Sequence, residues 1–339
     1  MKKYFVGITT IFMILLAIPS IHVSAEDVDY SVQAIIPDNQ IDKKQGYFDL
    51  KMQPKMKQRL QIKVFNSSNH EITIKQNVTY ASTNKSGMID YSNKPFKEAD
   101  KSLEVPLPTI AKISDDTIKI PASSTSSISV DIEMPEQRFD GMILGAVEFT
   151  QVSEKNTEKK ESGLSIENEY SYIVGVKLSE TTKKITPNLN LLDVKAGLNN
   201  YRTSVSAVLQ NDQPAILDNL SVNAKVYKKG EKKVLHKAAK SDLKMAPNSN
   251  FPYAIDWENQ PLEPGTYVLK LSADNGEQDW NFTKEFKIGD NAKDLNKKAV
   301  DVEKNYLWWW IIGGAIAAIL LFLIIWIILR RKKKKNNED

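Results

Sequence analysis

No cysteine occurs anywhere in the 339 residues, so neither a disulfide framework nor thiolate chemistry is open to this chain. Histidine is nearly absent too: there are 3, and His22 sits in an apolar leader, leaving His70 and His236 far apart in the body. A histidine-based metal triad or a Ser-His-Asp set therefore lacks material. No G-x-S-x-G elbow, P-loop or H-E-x-x-H appears. The acidic groups Asp115-Asp116 and Asp274, Glu277, Asp279 fall in turn-like stretches, where carboxylates collect for backbone reasons. The expectation is a protein without catalytic residues, metal or cofactor. A surplus of one charge is missing as well. Of the formal net charge of +4, Lys2 and Lys3 contribute +2 and the tail from Arg330 contributes +4, which leaves the body at −2. A body without basic character argues against nucleic acid as a partner.

Long apolar runs are confined to the two ends. Lys2 and Lys3 precede the run Tyr4 to Ile18, followed by Pro19 and the small-residue site Val23-Ser24-Ala25, which reads as a signal peptide over 1–25. From Leu307 to Leu329 neither charge nor proline interrupts about 23 residues, against roughly 20 needed for a helix to cross a hydrocarbon core. Trp308, Trp309 and Trp310 fit an interfacial belt at one end of this run, and Arg330 and Arg331 open a basic flank, 330–339, at the other. The expected topology is single-pass type I: body outside, basic tail in the cytoplasm, membrane lipid engaged through the C-terminal anchor. Export without cysteine suits a Gram-positive surface. No L-P-x-T-G signal precedes the apolar run, so the anchor is expected to stay in the membrane.

Period-two alternation dominates the body, as in Leu60-Gln61-Ile62-Lys63-Val64 and Ile128-Ser129-Val130-Asp131-Ile132, where each strand buries one face. The spacing predicts all-β architecture: two immunoglobulin-like sandwiches, 26–180 and 184–290, then a polar stalk over 291–306 and a transmembrane helix over 307–329. The polar segment Ser179 to Asn188 marks the boundary. In the first body, the stretch from Ala81 to Lys119 reads as irregular and long enough to be functional. Ser153 to Leu164 reads as a solvated charged insertion. Gly141 and Gly145, either side of Leu144, point to a turn and a close backbone approach.

The stretch GYFDLKMQPKMKQRLQIKVFNSSNHEITI, the loop YASTNKSGMIDYS, the strand pair around GMILGAVEF, and YSYIVGVKL followed by NLNLLDV together resemble the WxL-interacting proteins of Gram-positive bacteria. That resemblance implies a peptidoglycan-binding N-terminal domain and a second domain that binds host matrix proteins. It also implies secreted WxL-domain proteins as partners.

The residues themselves favour the loop Tyr80 to Tyr91 as the ligand candidate. Tyr80 and Tyr91 can stack or hydrogen-bond, and Thr83, Asn84, Ser86 and Asp90 offer polar groups to a glycan or peptide stem. The alternative for the tyrosines is packing against the sandwich edge. The leading functional expectation is a non-enzymatic, membrane-anchored adhesion and scaffold protein at the cell surface. The competing one is an anchored assembly factor or chaperone that captures partner strands on exposed sheet edges.

Overall fold

The computed structural model describes residues 29–92, 99–152, 170–300, 302 and 307–335, with side chains of the last segment described for 311–326. The leader and the insertion at 153–164 lie outside these residues.

The first sandwich packs a four-stranded sheet on a five-stranded one. The four-stranded sheet has the order β1 (Tyr30–Ile35), β3 (Lys57–Asn66), β9 (Thr125–Glu133), β7 (Ala111–Ile113). The five-stranded sheet runs β2 (Phe48–Lys51), β11 (Ser171–Ser179), β10 (Ile143–Gln151), β4 (Ile72–Tyr80), β8 (Thr117–Ile120). Alternation produces this directly: Leu60, Ile62 and Val64 of β3 point into the core, while Arg59, Gln61 and Lys63 stay outside. Each such aliphatic side chain contributes on the order of 1.5–3 kcal/mol by leaving water. From the facing sheet come Ile74, Val147, Phe149, Val176 and Leu178, all in the same core. Tyr30 ties the layers together: its hydroxyl donates to the Phe149 carbonyl at 2.7 Å, and burial pushes its phenol up to about 12.

β11 closes this sandwich. It lies between β10, which it pairs antiparallel, and β2, which it pairs in parallel from Val176↔Phe48 to Ser179↔Lys51. The stretch expected to be irregular, 81–119, contains a short ladder of β5 (Ser82–Thr83) and β6 (Ile89–Asp90), the turn α1 (Leu107–Ile110) and two edge strands, β7 and β8. These strands are too short to show alternation. Leu107 plugs the core from α1. Gly145 makes room for it, because a Cβ there would collide with the Leu107 side chain and the Thr79 carbonyl.

The second sandwich packs β12 (Asn190–Asn199), β13 (Arg202–Asn211) and β16 (Ser249–Asp256) against β15 (Val234–Met245), β14 (Leu217–Lys228), β17 (Gly265–Asp274) and β18 (Asp279–Ile288). Its core joins Val205, Leu209, Phe251 and Tyr253 of one sheet to Leu220, Val226, Leu269 and Phe286 of the other. Tyr253 again crosses between the layers, donating to the Val222 carbonyl at 3.1 Å.

Where composition leads to a free stalk, the structure has a docked helix, α2 (Ala292–Lys298). Ala292 is fully buried, Leu295 packs on the second core, and the Asn296 amide exchanges two hydrogen bonds with the Leu262 backbone. Val300 then donates its N–H to the Tyr201 carbonyl at 2.8 Å. The polar sequence hides this because one buried alanine and one leucine suffice to hold two turns.

Helix α3 (Leu307–Lys335) ends the chain's described part. Its described side chains, Ile311 to Trp326, are apolar and exposed. Among the described residues no helix is long and apolar enough to cross a membrane. The side chains of Trp308, Trp309, Trp310, Arg330 and Arg331 lie outside the described residues.

Candidate binding cleft and the inter-domain loop

The loop Tyr80 to Tyr91 faces the second sandwich. Tyr80 is buried at the end of β4. Thr83 is buried as well; its hydroxyl lies 2.6 Å from that of Ser249 and accepts the Ala246 N–H at 3.0 Å. Asn84 folds its carbonyl oxygen back onto the N–H groups of Ser86 and Met88, which shapes the tip but leaves Ser86 exposed. Gly87, at φ 80, seats against Leu243, and its carbonyl accepts the Lys244 N–H at 2.7 Å. Asp90 caps Ser92 through both carboxylate oxygens. Tyr91 is half-buried, and desolvation pushes its phenol up.

Two further contacts complete this joint. Asp100, buried, accepts from Ser102 of its own loop and from Gln210 and Asn250 of the second sandwich. Burial alone would raise its carboxyl, but hydrogen bonds from Asn250, Ser102 and Gln210 outweigh that and hold it below the usual range. Gly141, at φ 89, lies so close to Pro214 that any side chain there would strike the Pro214 carbonyl. Met142 donates its N–H to that same carbonyl at 2.9 Å. The sequence placed the six loop residues together but could not show that Thr83 is spent on a partner 166 positions away.

A cleft of about 870 Å³ opens elsewhere on the first sandwich, lined by Asn39, Gln40, Lys51, Gln53, Arg138 and Glu180 among others. Its walls are stiff. The Gln40 side chain, buried, accepts the Asp49 N–H and donates to the Tyr47 and Asp42 carbonyls, so the loop after β1 is stapled to β2. Asn39 and Gln58 exchange two hydrogen bonds of 2.8 Å. Lys55, at φ 60, turns the chain after β2 and donates its N–H to the Pro135 carbonyl.

The cleft's chemistry divides between rim and floor. Lys51, Gln53 and Arg138 are exposed, and among the described residues none makes a side-chain hydrogen bond or ion pair. Glu180 forms the floor, only 7% exposed, with one carboxylate oxygen accepting the Phe139 N–H at 3.1 Å. Its other oxygen, Oε1, has no hydrogen-bond partner among the described residues. A buried unmet acceptor costs about 1–3 kcal/mol, so it is a feature that folding alone does not favour. Two cationic groups and an amide around a buried carboxylate can hold a molecule bearing carboxylates, amides and an amine. The residues come from four separate segments, which is why no sequence motif announces them. Among the described residues no group of three or more His, Asp or Glu is placed to share a metal ion.

Residues 30–151 match the peptidoglycan binding domain of the WxL Interacting Proteins, and residues 161–297 match the host binding domain of the same family. None of the curated proteins matches the chain in sequence. Among solved structures, the CupB2 chaperone of Pseudomonas aeruginosa is 13% identical over 68% of this chain and 93% of that one, at a TM-score of 0.27. The E. coli chaperone DraB is 13% identical over 72% of this chain and 96% of its own, at 0.28. A Salmonella enterica complex of SafA pilin with the SafB chaperone gives 13% identity over 78% and 99%, at 0.29. Superpositions this loose carry no argument about function.

Proposed function

This chain belongs to the WxL Interacting Protein family, and from that premise we propose that it is a non-enzymatic surface scaffold whose first sandwich holds peptidoglycan. The observation that carries the reading is the rim of Lys51, Gln53 and Arg138, within the region matched to the peptidoglycan binding domain, over the buried Glu180, which closes the first sandwich from the region matched to the host binding domain. A wall stem peptide offers carboxylates to the rim cations, amides to Gln53 and an amine toward the acidic floor. The inter-domain loop, through the exposed Ser86 and the half-buried Asn84, Asp90 and Tyr91, is the competing contact. The second sandwich, matched to the host binding domain, is proposed to take extracellular host matrix protein.

The proposed anchor is the apolar run of α3 with its tryptophan and arginine flanks, reached through a cleaved leader. In that arrangement the body lies outside the cell, and a secreted WxL-domain protein bound to it is kept at the surface by tethering, which raises local concentration without new contacts. Because α2 is docked, the six residues 301–306 can extend at most about 3.3–3.6 Å each, which holds the second sandwich near the bilayer.

The test uses the full chain on cells. Protease added to wall-stripped cells should digest the body and leave a small membrane-held fragment. Truncation after Tyr306 should release both the body and any bound WxL-domain protein into the medium. Protection of the body, or retention of that partner at the normal level, contradicts the anchoring. Co-sedimentation of the purified chain with insoluble peptidoglycan tests the wall reading separately.

A further inference from the structure

The outer face of the β15-β14-β17-β18 sheet carries a row of like charges. Lys225 of β14 is directly opposite Lys237 of β15 on one side and Lys270 of β17 on the other. All three are exposed, and among the described residues none is ion-paired. Neighbouring strands stand about 4.8 Å apart, so three positive charges cross the sheet within roughly 10 Å. Like charges directly opposite one another destabilise a sheet, and folding does not favour this row. Elsewhere in this sandwich Lys229 pairs with Glu285 at 2.9 Å and Lys244 with Asp218 at 2.9 Å.

Lys225 and Lys270 lie in a trough of about 470 Å³ lined also by Asn223, Tyr227, Ser272, Asn281 and Thr283, and Lys237 stands outside that lining on the neighbouring strand β15. Leu271 and Phe282 also border it, but both pack toward the core, and apart from these, the lysines and Tyr227, the lining is short amide and hydroxyl groups suited to phosphoryl and hydroxyl oxygens. No carboxylate lines it. Tyr227 is the aromatic ring on its outer face, and Lys270 Nζ stands 5.4 Å from the ring centroid, covering it as a cation–π partner. With that face taken, and the Phe282 ring packed against the second core, no aromatic face among the described residues of the trough is left open for a nucleobase or a pyranose ring to stack on. Charge complementarity without a stacking surface fits a slender, ring-free polyanion.

We infer that this face binds a linear polyol-phosphate chain, with Lys237, Lys225 and Lys270 contacting successive phosphodiesters and the flanking amides and hydroxyls contacting the polyol. The site is separate from the cleft of the first sandwich, and the wall reading could fail without affecting it.

The test is fluorescence anisotropy of an end-labelled oligo(glycerol phosphate) titrated with the full-length chain in nonionic detergent, from low to physiological salt. Saturable binding is expected. The triple change Lys225→Gln, Lys237→Gln, Lys270→Gln should weaken it by about tenfold or more, and should lower the magnitude of the salt slope by about 2, from three charges at roughly 0.7 each on a flexible polyanion. Its Tm should be equal to or above the parent's at low salt, because a like-charge row has been removed. The Arg variant at all three positions should still bind, which gives a second reading should the Gln variant fold poorly. Absence of binding, binding that the Gln variant keeps, or preferential binding of a sulfated glycosaminoglycan over the polyol phosphate would each overturn the assignment.

Discussion

The two sandwiches share a corner and differ in what hangs from it. Asn66 at the end of β3 and Asn211 at the end of β13 occupy equivalent places. Each is buried, each accepts the N–H two residues on, and each spreads its amide over carbonyls of the adjoining loops. Both corners meet a residue in the left-handed region, Ser123 at φ 49 and Asn248 at φ 49. On this common frame the first sandwich elaborates its loops. Thr83, Gly87 and Asp100 reach across to the second sandwich, and four other segments build the cleft. Within its sheets the second sandwich pairs only antiparallel strands, and it presents broad faces instead. The frame is set by polar corner residues, while specificity is left to whatever the loops do.

The largest expected effect comes from cutting that frame. The match to the host binding domain begins at residue 161, yet β11, 171–179, is the middle of the first sandwich. A chain that stops before Ser171 exposes Val147 and Phe48 and leaves β2 unpaired, so it should show no cooperative melting by circular dichroism. One ending after Lys184 should melt cooperatively. Equal melting of both would assign β11 to the second body.

Next is the joint. Asp100→Ala removes the acceptor shared by Gln210 and Asn250 and should cost about 1–3 kcal/mol of inter-domain coupling. Calorimetry should then separate one transition into two. Persistence of a single transition, with both sandwiches still tumbling together by NMR relaxation, would mean that the Thr83 and Gly141 contacts suffice.

Acid should distinguish the sandwiches by a smaller margin. His236 is buried and stacks on Trp257 with ring centroids 4.0 Å apart, whereas His70 is exposed. Burial pushes the His236 imidazole down, against the opposing pull of Glu258 and Asp256. A base whose folded value is depressed takes up protons more readily when unfolded. Its contribution is therefore complete above about pH 6.5 and is lost as pH falls below that, with a slope of at most about 1.4 kcal/mol per pH unit. The second sandwich should lose stability first between pH 6.5 and 5, and His236→Phe should flatten that dependence. Asp100, held low, contributes stability that is complete above the ordinary carboxylate range and is lost only as pH falls below it.

The sequence makes the central strands readable and the edges obscure. β3 and β9 alternate cleanly because one face of each is core. β15 does not: as an edge strand with irregular register at three places, it runs VLHKAAKSDLKM with a continuous exposed stretch from Ala239 to Asp242. β7 and β8, three and four residues long, are too brief for any period to register. Close approaches at Gly141 and Gly145 could be anticipated from glycine itself, but not what approaches, since Pro214 and Leu107 lie outside any local window. Sites suffer most. Lys51, Arg138 and Glu180 converge only after β2 and β11 pair in parallel, a closure that alternation cannot encode.

In the proposed function the cleft, and not the inter-domain loop, touches the wall. Two variants of the full chain separate these: Lys51→Glu with Arg138→Glu at the cleft rim, and Ser86→Ala with Tyr91→Phe on the loop. All four positions keep their side chains exposed or half-buried, so both variants should melt like the parent. Co-sedimentation with insoluble peptidoglycan should fall about tenfold or more for the rim variant, through loss and reversal of two charge contacts, and stay unchanged for the loop variant. Full sedimentation of the rim variant together with loss in the loop variant would contradict the claim and move the wall contact to the loop.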